Sequence, residues 1–145
     1  MNQQAIQEIR AFNRFYTHFI GLLDRYLLHS KYTLPEVRVL YELYHMKNAK
    51  ASDIVESLNM DKSYLSRVLH QFEKKKLIAK RISRIDKRSL HIQLTALGKN
   101  EFLALNKASD LQISGLLTGI SKNDLSLLLQ HMNGIKRLLE KNKNK

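Results

Sequence analysis

One stretch of alternating hydrophobicity, between residues 77 and 94, constrains the fold of this chain more than any other feature. Apolar Leu90, Ile92 and Leu94 alternate with polar residues in 89–94, which is the period of a β-strand, and 77–83, with Ile78 and Ile82, is interpreted as a second strand. Elsewhere, apolar residues recur three and four positions apart, as in amphipathic helices. One proline and five glycines among 145 residues also favour long regular elements. The sequence therefore predicts a mainly α fold with a small two-stranded β-hairpin.

The helical pattern divides the rest of the chain into six segments, most of which begin at a residue suited to cap a helix. The predicted caps are Thr33, Asp61, Thr95 and Ser121, and Thr33 forms a capping box with Glu36. Helices are predicted over residues 4–29, 35–46, 51–58, 62–76 and 96–117 and from 122 onward, whereas the polar tail from 140 is predicted to be disordered.

The first helix is apolar on more of its surface than one neighbouring helix would cover. We therefore expect it to pack on two sides, with a partner subunit as a natural second surface. Its apolar stripe comprises Ile6, Ile9, Phe12, Tyr16, Phe19, Leu23 and Tyr26, and Phe15, Ile20, Leu22 and Leu27 widen it.

Positive charge is concentrated in the middle of the chain. Residues 61–91 hold ten Lys/Arg against three Asp/Glu, a net charge of +7 out of +12 for the whole chain. Such a localised excess is typical of a surface that binds a polyanion, although a solvated basic face is the alternative interpretation.

Two short helices joined by a tight turn at residues 59–60 precede the predicted hairpin. The second of these, 62–76, presents lysine, serine and arginine outward, and the hairpin has the charged tip RIDKR at residues 84–88. This order of elements is that of a winged helix-turn-helix module, in which the second helix and the hairpin (the wing) contact DNA.

Two segments of this module carry a family resemblance. Residues 86–95, DKRSLHIQLT, match the D-x-R…L-T wing signature of the MarR family of bacterial regulators, and Gly98 follows as in many members. Residues 58–67, LNMDKSYLSR, match the turn and the start of the recognition helix. On these residues the chain resembles the MarR family, and most of all the regulator module of MarR–GNAT fusions without the acetyltransferase. Lys50 departs from the usual Thr or Ser cap, which leaves the start of the helix at 51 open.

The resemblance implies a homodimer that binds double-stranded DNA and regulates transcription. It further implies a single MarR-type domain over 1–145, with dimerisation helices at about 4–29 and 96–142 and the winged helix-turn-helix at about 34–95. The expected activity is that of a sequence-specific repressor on a pseudo-palindromic operator, and not that of an enzyme.

We expect the recognition helix to contact DNA through seven residues. Arg67 is the expected base-reading residue, because a guanidinium can bind guanine O6 and N7 together. Ser63, Tyr64 and Ser66 are assigned to phosphates or bases, Lys62 and Lys74 to phosphates without sequence information, and His70 completes the set. A solvated helix surface remains the alternative for Arg67, and packing against a neighbouring helix remains the alternative for Tyr64.

Five residues of the wing complete the expected DNA-contacting set. Arg88 is expected to enter the minor groove, and Asp86 to form an ion pair with Arg88 or Arg84 that shapes the tip. Arg81 and Lys87 are the remaining members.

The resemblance also implies a small aromatic or anionic effector bound between the dimer helices and the winged module. Candidate pocket residues are Phe12, Tyr16, Phe19, Tyr41, Tyr44 and His45, with ordinary core packing as the alternative. Helical periodicity independently predicts that Tyr41 and Tyr44 are buried together with Val37 and Leu40.

Other classes of protein find little support in the sequence. The absence of cysteine excludes disulfides and thiolate metal sites, and the six histidines have no ligand spacing, so no metal or cofactor is expected. No glycine-rich phosphate loop or catalytic constellation is present. No apolar run approaches the roughly 20 residues of a membrane span, which leads us to expect a cytoplasmic protein. A DNA binder without sequence preference remains an alternative.

Overall fold

The computed structural model of this protein describes residues 2–27 and 30–143, without the side chains of residues 20, 22–27, 142 and 143. The order of elements is α1 (Gln3–Leu27), α2 (Leu34–His45), α3 (Ala51–Leu58), α4 (Lys62–Lys74), β1 (Ile78–Ile82), β2 (Leu90–Leu94), α5 (Ala96–Leu116) and α6 (Lys122–Lys143). The predicted fold class, mainly α with a two-stranded wing, is confirmed. The side chains of Ile20, Leu22, Leu23, Tyr26 and Leu27 lie outside the described residues, as does the predicted extension of the first helix over 28–29.

The chain divides into two compact units, residues 1–112 and 113–145. The first contains α1 to α4, the wing and most of α5, and the second contains the end of α5 and all of α6. The assignment of residues 1–145 to a single domain stays a prediction.

The structure contains the helix-capping hydrogen bonds that were predicted at Thr33 and Asp61. Thr33 Oγ1 accepts the amide N–H of Glu36, whose carboxylate accepts the Thr33 N–H, each at 3.4 Å. The Asp61 carboxylate accepts the Tyr64 N–H at 2.9 Å at the start of α4. Because these side chains satisfy amides that the first helical turn leaves unpaired, they set where α2 and α4 begin.

The caps predicted at Thr95 and Ser121 are also confirmed. Thr95 Oγ1 accepts the Gly98 N–H at 3.1 Å, and Ser121 Oγ accepts the Asp124 N–H at 3.0 Å. The helix start left open by Lys50 lies at Ala51, where the Asp53 carboxylate accepts the Lys50 N–H at 2.9 Å.

Two predicted helix ends are wrong. Helix α4 ends at Lys74 instead of 76, because Lys76 adopts a left-handed conformation (φ 58°) and the Leu77 N–H bonds back to the Phe72 carbonyl at 2.9 Å. This is a Schellman-type ending, which usually requires glycine. Helix α6 continues to Lys143, so the predicted disorder from 140 does not hold over 140–143.

The hydrophobic core of the first unit lies inside the winged module. Its buried side chains come from the segment before α2, from α2 to β2 and from one turn of α5: Tyr32, Val39, Leu40, Leu43, Ala49, Ile54, Leu65, Val68, Leu69, Phe72, Leu77, Ile78, Ile92, Leu94 and Phe102. Among the side chains that the structure describes, none from α1 belongs to this core.

The inner face of α2 is not the predicted one. Leu40 is buried as expected and Val37 packs at the edge of the core, but Tyr41 and Tyr44 are 48% and 40% exposed. Val39 and Leu43 are buried in their place. The face of α2 that meets α3 and β2 is therefore rotated from the predicted one.

The wing is an antiparallel hairpin of β1 and β2, and the segment before α3 forms one backbone bridge to β2. Its register pairs Ile78 with Leu94 and Ile82 with Leu90. The Ile92 N–H donates to the Ala49 carbonyl at 2.8 Å, which fixes the hairpin to the body of the module. The wing therefore has a defined position relative to α3 and α4.

Candidate nucleic-acid interface

The outer face of α4 presents polar and basic side chains along its length. The opposite face is buried through Leu65, Val68, Leu69 and Phe72. Helical spacing places the outward residues within one arc of the helix surface. They are Lys62, Ser63, Ser66, Arg67, His70 and Lys74, all exposed. The structure thus brings six of the seven expected recognition-helix residues onto one accessible surface.

The seventh residue, Tyr64, lies at the flank of α4. It is half-buried and packs against the core, and the Arg67 guanidinium lies 5.8 Å from its ring centre. A cation over an aromatic face is attracted by the ring's quadrupole. Tyr64 therefore supports Arg67 and limits the conformations open to it.

A network of hydrogen bonds holds the tip of the wing in one shape. Ser83 is buried, and its Oγ accepts the N–H groups of Ile85 and Asp86 at 3.3 and 3.2 Å. The Ser83 N–H donates to the Ser89 carbonyl at 2.9 Å, and the Ser89 N–H donates to the Asp86 carbonyl at the same distance. The turn between β1 and β2 is therefore ordered by its own side chains.

The expected ion pair of Asp86 with Arg84 or Arg88 is wrong. One carboxylate oxygen accepts the backbone N–H of Arg88 at 3.0 Å, and the other accepts the Ser89 hydroxyl at 2.9 Å. The Arg88 amide, the Ser89 hydroxyl and the charge of Lys50 all lower the pKa of Asp86 below its ordinary value. Asp86 thus shapes the tip, as expected, but leaves both guanidinium groups available for other partners.

This arrangement predicts the pH response of the tip. Because the pKa of Asp86 is lowered in the folded protein, the carboxylate's contribution is complete above the ordinary aspartate pKa of about 3.9 and is lost as the pH falls through the lower folded value. The amide signals of Arg88 and Ser89, followed by NMR, should move with a midpoint below that ordinary pKa. Asp86→Asn should retain the bond from Arg88 without this titration. A midpoint at or above about 3.9 would contradict the assignment.

The basic side chains of the wing do not all share one face. Arg84, Lys87 and Arg88 lie exposed in the tip turn. Arg81 lies in β1 opposite His91, and strand alternation places it on the other face of the hairpin from Lys80. Four of the five expected wing residues, including Asp86, are therefore in the tip, and Arg81 is separated from them.

A groove separates α4 from the wing. Its volume is about 550 Å³, with an apolar floor that includes Leu65, Leu69 and Ile92. Lys62 and Ser66 from α4 and Lys80 from β1 also line it. One lysine of α4, Lys62, and one of β1, Lys80, therefore line the same depression.

All three acidic side chains of residues 61–91 are engaged within the module. Asp61 caps α4, Asp86 is held in the tip, and Glu73 forms an ion pair with Lys80 at 2.9 Å. Each carboxylate has a structural partner, while the exposed cations of α4 and of the tip have no ion-pair partner among the described residues. The arrangement can attract and contact a polyanion.

Sequence reasoning missed three residues of this surface. Ser83 organises the tip, Lys80 lines the groove, and Ile85 projects from the tip. The one available signal was the position of Ser83 three residues before Asp86, a spacing at which a serine hydroxyl can bond a backbone N–H.

The expected effector-pocket residues form two separate groups. Phe12, Tyr16 and Phe19 stack along α1, with ring centres 5.6 and 6.4 Å apart. Tyr41, Tyr44 and His45 surround Phe102 of α5. Among the described side chains, no ring contact joins the two groups.

Two further expectations concern metals and membranes. Within residues 2–27 and 30–143, no group of three or more acidic or histidine side chains is arranged to hold a metal ion. None of the helices described in that part of the chain is long and apolar enough to span a bilayer.

Comparison with known proteins identifies the module. Residues 32–90 match the MarR family. The crystal structure of the MarR family transcription regulator SP03579 is similar over 98% of this chain and 94% of its own, with a TM-score of 0.82 and 20% identity. The winged module of this chain is therefore similar to that of the MarR family, and the chain has the fold of a MarR-family regulator. Members of the MarR family are DNA-binding transcription regulators and not enzymes.

Two further proteins are similar to this chain. The chain is 27% identical over 108 residues to the uncharacterised HTH-type transcriptional regulator YfiV of Bacillus subtilis, and this similarity covers 74% of the chain and 68% of YfiV. It is also similar in structure to BpsR of Bordetella bronchiseptica, whose DNA binding is regulated by 6-hydroxynicotinic acid. That similarity covers 88% of this chain and 91% of BpsR, with a TM-score of 0.71 and 16% identity.

Proposed function

We propose that this regulator is a repressor that acts as a homodimer on a pseudo-palindromic operator. In this proposal the outer face of α4 enters the major groove and the tip of the wing follows the adjacent minor groove. The observation that supports it best is the set of exposed cations on α4 and in the tip of the wing, whose acidic neighbours are all engaged in caps, turns or an ion pair.

Each side chain of the surface has a role that follows from its chemistry. Arg67, supported by Tyr64, reads guanine through two hydrogen bonds. Lys62 and Lys74 contact phosphates and add affinity without sequence preference. Ser63, Ser66 and His70 lie between these cations on the same face and are within the span of one groove. Arg88 in the tip is the minor-groove cation.

Apolar side chains left exposed on three helices support the homodimer. So many large apolar side chains exposed on individual helices are unusual in a monomeric protein and typical of a subunit interface. The exposed residues are Ile9, Phe12, Phe15 and Tyr16 on α1; Leu97, Leu103, Leu111, Ile113 and Leu116 on α5; and Leu127, Leu128, Leu129, Met132, Ile135, Leu138 and Leu139 on α6.

Light scattering after size exclusion tests the dimer. The mass should be twice the 17.0 kDa of the chain. Replacing Leu138 and Leu139 by glutamate should give monomers that retain the fold, because both side chains are exposed in the single chain. A wild-type protein that stays monomeric at micromolar concentration would refute the dimer.

Dimer symmetry determines the form of the operator. Two recognition helices related by a two-fold axis would face successive major grooves, with centres about 34 Å apart. The operator should therefore be an imperfect palindrome.

Selection of bound sequences from a random pool of DNA duplexes tests whether the protein recognises such an operator. The same experiment tests the role of Arg67. The wild-type protein should enrich a two-fold symmetric sequence. Arg67→Ala should weaken binding by about 1–3 kcal/mol and relax the preference at one position in each half-site. Lys74→Ala is the matched control and should weaken binding to all sequences alike. If no sequence is enriched, the protein is a DNA binder without sequence preference.

Effector release is the last part of the proposal. A small aromatic or anionic molecule would bind near the aromatic clusters of α1 and of α2 with α5, and would reduce operator affinity. The regulation of BpsR by 6-hydroxynicotinic acid supports this class of ligand. Thermal-shift screening with phenolic and heteroaromatic acids tests it, and stabilisation accompanied by loss of DNA binding is the expected result.

A further inference from the structure

The tip of the wing carries a large apolar side chain in an unusual environment. Ile85 is 99% exposed, the highest value among the exposed large apolar residues of the described chain. It follows Arg84 and precedes Asp86, in a turn that also contains Lys87 and Arg88. Complete exposure of an isoleucine has an unfavourable hydration free energy, which no contact with the described residues offsets.

The backbone around Ile85 is held in place. Its N–H donates to Ser83 Oγ at 3.3 Å, and the next amide, that of Asp86, donates to the same oxygen at 3.2 Å. Ser83 is buried, so this anchor is fixed to the body of the wing. The side chain therefore projects from a preorganised turn, and binding need not order the backbone that carries it.

The surroundings of Ile85 determine which partner fits it. A hydrophobic protein surface would require the removal of water from Arg84, Lys87 and Arg88. The minor groove of duplex DNA offers phosphates to these cations and apolar deoxyribose walls and base faces to the isoleucine. Apolar side chains of this kind enter the minor groove as wedges in many DNA-bending proteins.

We propose that Ile85 inserts into the minor groove as an apolar wedge beside Arg88. Its contribution to affinity is apolar and therefore independent of salt, in contrast to that of the flanking cations. The contribution of Ile85 to affinity is largest where the base-pair step beneath the wing is pyrimidine–purine, because such steps unstack most easily. This inference rests on the proposed placement of the wing in the minor groove.

The test measures the affinity of the full-length protein for its selected duplex between 50 and 200 mM salt, the range over which phosphate contacts have a large effect. Ile85→Ala should lose about tenfold in affinity at every concentration, with an unchanged slope of log affinity against log salt. Ile85→Leu should retain most of the affinity. Arg88→Ala, in contrast, should make the slope shallower by about one for each phosphate that the arginine no longer neutralises.

Ile82→Ala is the matched control, because Ile82 is an exposed isoleucine of the same wing outside the tip turn. It should change affinity less than twofold. The inference is overturned if Ile85→Ala binds like wild type, if it changes the salt slope, or if Ile82→Ala causes an equal loss. Failure of the wild-type protein to bind any duplex would instead refute the proposed function.

Discussion

Raising the salt concentration from 50 to 200 mM should weaken duplex binding by roughly 10³–10⁵-fold, if the dimer makes some 6–10 phosphate contacts. Each cation that neutralises a phosphate releases condensed counterions, and the release becomes less favourable as bulk salt rises. The net charge of +7 in residues 61–91 and the exposed Lys62, Lys74, Lys87 and Arg88 provide enough contacts in two protomers.

Fluorescence anisotropy with a labelled duplex measures this dependence. Lys87→Ala should make the slope of log affinity against log salt shallower by about one for each phosphate left without its lysine. Lys107→Ala, in α5, is the control and should leave the slope unchanged. A flat salt response of the wild-type protein would contradict an interface built on phosphate contacts.

Replacing Gly98 by alanine should destabilise the protein by about 3 kcal/mol or more, at or above the upper end of typical overpacking effects. A Cβ at this position would lie 2.1 Å from the Leu77 carbonyl oxygen. That carbonyl cannot easily move, because it accepts the N–H of Thr95 at 2.9 Å and the Thr95 hydroxyl at 3.2 Å. The first turn of α5 and the start of β1 would therefore have to separate.

Urea denaturation followed by circular dichroism measures the loss of stability. Gly115→Ala is the matched control in the same helix, where an added Cβ meets nothing within 4 Å. It should be neutral or stabilise the protein by up to about 1 kcal/mol, since alanine is the better helix former. Equal midpoints for the two variants would show that the close approach at Gly98 is not present.

The elements that sequence alone predicted are those with a local physical signal. The change from helical to alternating period located the wing, and the side chains of Thr33, Asp61 and Thr95 located helix starts because each can accept an amide N–H of the first turn. The basic excess in 61–91 located the surface. These signals need no knowledge of tertiary contacts.

The prediction is wrong where tertiary contacts, and not the local sequence, determine which face of a helix is buried. Helix α2 is apolar at 37, 39, 40, 41, 43 and 44, so two different stripes satisfy the helical period. Packing against α3 and β2 selects Val39, Leu40 and Leu43 and leaves Tyr41 and Tyr44 exposed. No single-sequence rule distinguishes these two faces.

Backbone geometry accounts for the remaining errors. An ion pair with an arginine is the simplest prediction for Asp86, yet its carboxylate accepts an amide two residues ahead, as aspartate does in Asx-turns. The left-handed Lys76 ends α4 at a position where glycine is usual, so the sequence contains no stop signal. Both features depend on local conformations that lysine and aspartate adopt only in context.

Lysine footprinting tests most directly whether α4 and the wing form the DNA-contacting surface. The purified protein is acetylated with and without a saturating duplex at low salt, and each lysine is quantified by mass spectrometry. Lys62, Lys74 and Lys87 should be protected by DNA, while Lys107 and Lys122, on α5 and α6, should react equally in both samples. Protection of Lys107 and Lys122 with Lys62 and Lys87 unprotected would place the DNA on another surface and contradict the account.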